Sequence, residues 1–328
     1  MQKVITKKGE EVFSAKAVDF TRPLLLTPRE DLIGFALGHL GRWLLFLITS
    51  ASVLAVLLIF FFVIREATPF ITEHGLSKFL TSKSWYPEAD DGQFGTLALI
   101  SGSLYVTIGA MVLAVPLGLL AATFLSDIAP FRLQQICKPI IELLAAIPSV
   151  AYGFFAVLIL APWMQNKLGF STGTNTLNAS LVLAIMALPT IISMSEDSLS
   201  AIGREIREAS YGLGATRAET IIKVVIPAAH SGIIAGVILG IMRAVGETMV
   251  VWMASGNANQ IPSPWWDISQ SVRTMTATIA GEMGETPKGS DHYYALFVIG
   301  LTLLIFTFVL NIASEYFMSR VKRARGAG

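Results

Sequence analysis

The sequence predicts an all-α, polytopic membrane protein with about six membrane-crossing helices, and three observations carry that expectation. Over 328 residues the chain is 53% hydrophobic and only 14% charged, where a soluble domain of this size carries about a quarter charged residues. Six apolar runs, at 43–64, 97–125, 139–161, 177–194, 232–254 and 293–317, approach or exceed the ~20 residues a helix needs to span the hydrocarbon core. Lysine and arginine are also unevenly shared among the connecting segments, as orientation in a membrane demands.

The leader, residues 1–42, is mixed in charge and is expected to be a tail with an interfacial helix near 32–40. The first run, 43–64, does not read as a cleavable signal, since its polar leader and its apolar core are both too long. Residues 65–96 form the next connection. The main helical core occupies 97–319, with a polar loop at 195–228 and a second long loop at 255–292, and 320–328 is a short tail. Pro116, Pro148 and Pro189 fall inside the second, third and fourth runs. Membrane helices tolerate proline because neighbouring groups satisfy the freed carbonyls. With the N-terminus inside, 17 Lys and Arg lie on the cytoplasmic side and 6 outside, with Arg243 alone inside a span. The asymmetry puts both termini and the 195–228 loop in the cytoplasm, and 65–96 and 255–292 outside.

Several functions are excluded early. One cysteine, Cys137, cannot build a disulfide framework. The four histidines (His39, His74, His230 and His292) show no metal-ligand spacing, and a net charge of +1 gives no footprint for nucleic acid.

The 195–228 loop is too polar to span and too patterned for a linker. Ile202, Ile206, Ala209 and Leu213 recur at helical spacing on one face, while Arg204, Glu205, Arg207 and Glu208 lie off it. Gly212 and Gly214 end that helix, because glycine accepts the left-handed conformation of a C-terminal cap. Thr216 with Glu219 three residues later is a capping box, so a second helix starts at once, and Pro227 is expected just beyond its end. The product is a helix, an elbow and a helix. Its charges balance, which suits docking to a protein better than binding to anionic lipid.

The fifth run places Arg243 and Glu247 inside the membrane, where each ionised group costs roughly 2.5–3.5 kcal/mol and needs a partner or a polar cavity. At i and i+4 the two would share a helix face with Gly236 and Gly240. Gly232, Gly236 and Gly240 at every fourth position permit close helix approach. Counting about 1.5 Å per residue from Gly232, Arg243 lies roughly 16 Å deep. Two readings stand for Arg243 and Glu247: contacts for an anion on a pathway, or a structural ion pair locking helices together. Glu142 reads as an acid snorkelling to the interface, and Trp265 with Trp266 as interfacial anchors or as part of a receiving surface for a partner.

The elbow resembles the signature loop of permease subunits in ATP-binding-cassette importers, through Glu208, Ala209, Ser210, Gly214, Val224, Ile226 and Pro227 at the family spacing. Ser210 replaces the family's second alanine. Gly246-Glu247-Thr248-Met249, Ser255-Gly256-Asn257, Thr276-Ala277-Thr278-Ile279-Ala280, Glu282-Met283-Gly284-Glu285 and the entry to the second span, "FGTLALISGSLYVTIGAMVLAVPLGL", are similar to phosphate-importer permeases of the PstC type. The resemblance covers roughly residues 85–320. It implies the type I importer permease fold and a PstA-like sister permease. It also implies two ATPase subunits that dock on the elbow and an extracytoplasmic phosphate-binding protein, in a bacterial inner membrane. Arg243, Glu247 and Thr248 would then lie on the translocation pathway. No phosphate-binding loop of the Gly-x-x-x-x-Gly-Lys-Ser/Thr type occurs in the chain, so no catalytic residue and no cofactor is expected here. ATP and Mg would be bound by the partner ATPase.

Three alternatives remain at this level. Another oxyanion, such as sulfate or molybdate, would suit the same arginine. An ion-coupled carrier would need an inverted repeat of broken helices, and a sensor scaffold would leave Arg243 unexplained.

Overall fold

In hydrocarbon every backbone N–H and C=O has to bond within its own segment, so apolar runs of this length become long helices. The computed structural model describes residues 28–89 and 91–324, and the chain divides into two units, residues 1–61 and 62–328.

Helix α1 (Pro28–His74) begins in the first unit, where every side chain from 37 to 59 is exposed. A helix apolar on all sides and exposed along this stretch is a lipid-facing one. Two expectations are corrected here. The interfacial helix at 32–40 and the span at 43–64 are one helix, since no proline falls between Pro28 and Pro69. Its last ten residues also occupy what was expected to be loop, and the helix stops only at Gly75, where φ is 80°.

The second unit continues with α2 (Leu76–Thr81) and a minimal antiparallel pair, β1 (Trp85–Tyr86) and β2 (Gln93–Phe94), with Trp85 opposite Phe94. Next come α3 (Leu97–Thr123), α4 (Phe131–Ala146), α5 (Ser149–Phe155), α6 (Ala161–Leu168) and α7 (Thr176–Ser200). Then follow α8 (Arg204–Gly212), α9 (Arg217–Thr220), α10 (Ile226–Gly246), α11 (Met249–Ala254), α12 (Met275–Glu282) and α13 (Asp291–Ala324). Among the described residues, five helices are long and apolar enough to span, and α4 with α5–α6 makes a sixth path bent by 88°. The third expected span, 139–161, is therefore not a rod. Pro148 removes an N–H and forces Ile147 into extended backbone (ψ 129°).

Among the described residues, three π-helical turns, Phe124–Ile128, Ala156–Leu160 and Ile221–Val225, each end two positions before a proline: Pro130, Pro162 and Pro227. Before Pro130 the helix ends, with Ala129 extended (ψ 137°), whereas before Pro162 and Pro227 the wider turn makes room for the ring and the missing donor and the helix continues. This overturns the placement of Pro227 beyond a helix end. The chain stays helical from Arg217 to Gly246, and the second limb of the elbow is the start of a span.

Helix α7 is the centre of the bundle. Gly232, Gly236 and Gly240 of α10 meet Ser198, Met194 and Ile191 of α7, the close approach that their spacing predicts. Ile191 is fully buried and lies between two glycines. A Cβ at Gly240 would stand 2.7 Å from its Cγ1, and one at Gly118 of α3 would stand 2.7 Å from its Cγ2. At the Thr176 end, the N–H groups of Thr176 and Leu177 donate to the carbonyls of Gln270 and Ile268 at 3.0 Å each, which ties the long loop to the bundle.

Candidate functional site

The elbow takes shape through local chemistry. Helix α8 ends at Gly212, and Gly214 follows with φ 86°, a left-handed conformation that disfavours a side chain. Thr216 then closes the capping box: its N–H donates to Glu219 Oε2 at 3.0 Å, and its hydroxyl accepts from the Glu219 N–H at 3.3 Å. Ser210 earns its hydroxyl, because Oγ bonds Thr220 Oγ1 at 2.9 Å in a buried position and joins the two limbs.

The expected apolar face divides. Ile202 is buried in the bundle with Leu199, Val225 and Ala229, whereas Ile206 is 47% and Leu213 90% exposed. Ala209 and the charged Arg204, Glu205 and Glu208 beside them are exposed too. Among the described residues none covers this face of the elbow. Val224 and Ile226 are half-buried and Pro227 is exposed on the second limb.

Arg207 departs from the even charge balance read in the sequence. It turns inward, 17% exposed, and pairs with Asp127 Oδ1 at 3.0 Å, whose side chain is 7% exposed. The pattern of α8 put Arg207 among the polar residues, and nothing in the sequence linked it to Asp127.

The intramembrane site is also rearranged. Helix α10 stops at Gly246, and Glu247 is extended (φ −70°, ψ 132°), so Arg243 and Glu247 do not share a helix face. Among the described residues they form no ion pair. The break has a cause: the Thr276 hydroxyl donates to the Glu247 carbonyl at 2.9 Å, and the Glu247 carboxylate accepts from the Val250 N–H at 3.5 Å, opening α11. Thr248 starts that turn, its hydroxyl donating to the Gly246 carbonyl at 3.4 Å. Glu247 lines a small cavity whose apolar wall includes Val106, Leu183 and Val251 and whose hydroxyls come from Ser103, Thr107, Thr274 and Thr276. The sequence reading gave those hydroxyls no place beside Glu247, because they come from α3 and the long loop. Arg243 reaches the other way, donating from Nη2 to the Ala145 carbonyl at 3.5 Å, at the end of α4 where the bend exposes carbonyls.

A third cluster orders the long loop. The Glu282 carboxylate accepts from Arg273 at 2.5 Å, from His292 at 2.8 Å and from the indole N–H of buried Trp85 at 3.0 Å. The Glu-Met-Gly-Glu stretch thus holds the loop against the β1–β2 pair. No group of His, Cys, Asp and Glu suited to a metal occurs among the described residues.

A multi-pass helical bundle with a broken span, intramembrane charge and an uncovered elbow is the build of a membrane permease. The match of residues 114–323 to the family described as "Binding-protein-dependent transport system inner membrane component" makes the assignment specific, and the chain belongs to that family. It is similar to a probable ABC transporter permease protein, YqgH, of Bacillus subtilis, 40% identical over 75% of this chain and 78% of that one. It is also similar to the phosphate transport system permease protein PstC of Mesorhizobium japonicum, 35% identical over 76% of this chain and 80% of that one. A chain of the inward-facing MetNI methionine ABC transporter shares the fold, with TM-score 0.53 at 18% identity over 69% of this chain and 97% of that one. This is a type I importer permease fold, and the chain is a non-enzymatic, multi-pass membrane subunit.

Proposed function

We propose that this subunit forms part of the translocation path for inorganic phosphate in an ATP-driven importer. It pairs with a PstA-like sister permease, two ATPase subunits that bind ATP and Mg, and an extracytoplasmic phosphate-binding protein. Both termini and the elbow lie in the cytoplasm of a bacterial plasma membrane, as the Lys and Arg asymmetry favours. The observation that carries the reading is the uncovered elbow, whose Leu213 is 90% exposed next to Glu208, Ala209 and Gly214. An apolar knob on a fixed turn, left open by the described residues, fits a groove on another protein. The PstC relative supplies the substrate, and Arg243 the chemistry. A planar guanidinium presents paired donors to an oxyanion, and in hydrocarbon it needs an anion or a water-lined path.

Labelled-phosphate uptake tests this, in cells whose other phosphate carriers are deleted. Loss of the subunit should abolish uptake of phosphate and spare sulfate and molybdate. Arg243→Gln should assemble and hydrolyse ATP yet import no phosphate, and Arg243→Lys should recover part of it. Reporter fusions at Arg217 should read cytoplasmic. Near-normal uptake with Arg243→Gln removes that residue from the path and leaves it a cap on α4.

A further inference from the structure

Helix α8 hangs between two glycines, Gly203 and Gly214, and a Cβ added at either would meet nothing within 4 Å. Ser210 ties α8 to Thr220 on the second limb at 2.9 Å. Arg207 stands in the middle of that helix and holds it. Its guanidinium pairs with Asp127 Oδ1 at 3.0 Å, donates to the Leu199 carbonyl at 3.0 Å and donates to the Ile202 carbonyl at 2.7 Å. On the other limb, Arg217 donates to the backbone carbonyl of the same Asp127. Asp127 belongs to the π-helical turn that closes α3. Helices α7 and α10 follow the elbow through the backbone, whereas α3 has no such continuity and depends on side-chain contact.

We propose that the Asp127–Arg207 pair, with Arg217 as its second grip, is the clamp that makes α8 and the end of α3 one lever. Movement of the elbow then becomes movement of a span. The proposal rests on the reading of the elbow as the ATPase dock. Asp127 and Arg207 are positioning residues, touching neither nucleotide nor transported anion.

The test uses the full importer in proteoliposomes with its binding protein, and reads labelled inorganic phosphate moved per ATP hydrolysed. Asp127→Asn, Arg207→Gln and the double variant should assemble and hydrolyse ATP at close to the normal rate. Phosphate moved per ATP should fall about tenfold or more, and removing both charges should not restore it, although it relieves the stranded charge of either single variant. A normal ratio in the single variants overturns the clamp. So does recovery in the double variant, or failure of the double variant to assemble, because the pair would then serve only folding. Leu213→Asp separates this proposal from the one beneath it. If that variant still binds the ATPase, the dock itself is wrong. If it loses the ATPase while Asp127→Asn stays coupled, only the clamp is wrong.

Discussion

Gly214 offers a clean perturbation, because its φ is 86° and an added Cβ would touch nothing. Any cost of a side chain there is backbone strain alone. For L-residues the left-handed conformation costs roughly 1–2 kcal/mol, less for asparagine and more for a β-branched residue. If docking needs this turn, the strain reduces the fraction of elbows ready to bind, and the apparent affinity falls in proportion. At about 1.4 kcal/mol per factor of ten, Gly214→Ala should weaken ATPase binding by roughly 5–30-fold. Gly214→Asn should do less and Gly214→Val more. Gly203→Ala, at φ −55° and with equal room, is the control and should bind normally. The assay is titration of the purified ATPase onto detergent-solubilised permease dimers, with assembly checked by size-exclusion chromatography. Equal affinity for the asparagine and valine variants would show that the turn is not part of the dock.

Packing and pH give two further expectations. In Gly240→Ala the new methyl would stand 2.7 and 2.9 Å from Cγ1 and Cδ1 of Ile191, an overpacking worth about 1–3 kcal/mol. Ile191→Ala alone should cost about 2–5 kcal/mol. Since it removes both clashing atoms, the double variant should lose less than the sum in thermal unfolding, and strict additivity would refute the contact. Asp267 is held below the usual carboxylate range by the Ser269 hydroxyl (2.6 Å), the Gln270 amide (2.7 Å) and the Ser269 N–H (3.0 Å). A depressed pKa means that its contribution is present above the unfolded value and is lost as pH falls through the folded one. The fluorescence of neighbouring Trp265 and Trp266 should stay constant down to the usual carboxylate range and change below it. Asp267→Asn should remove that change, and a transition above that range would contradict the assignment.

What could be read in advance was whatever is local or periodic. Five spans, the elbow, the capping box at Thr216 and the glycine stripe of α10 all follow from spacing within one segment, and the structure has them. The failures share a physical origin. The bend at Pro148 and the break at Glu247 were hidden by apolar runs that continue through them. Composition reports that a segment sits in hydrocarbon, but not which backbone groups are bonded by a hydroxyl from elsewhere, as Thr276 bonds Glu247. The inward turn of Arg207 was invisible for a similar reason, since its partner lies 80 residues away and only the fold brings them together. Pro227 was singled out in advance, but nothing local to it shows that a widened turn at Ile221–Val225 carries the helix on to Gly246.

The 88° bend between α4 and α5 also bears on what surrounds the molecule. A helix that stops short leaves carbonyls without the N–H groups a next turn would bring. Leu144 finds the Tyr152 hydroxyl at 2.9 Å and Ala145 finds Arg243 at 3.5 Å. The ledge itself is open, with Leu143 67% and Ile147 38% exposed. Acyl chains have no hydrogen to donate, and a backbone group left unmet in hydrocarbon costs several kcal/mol. Tyr152 and Arg243 thus do at the bend what the next helical turn would have done, and they let a broken helix sit beside lipid.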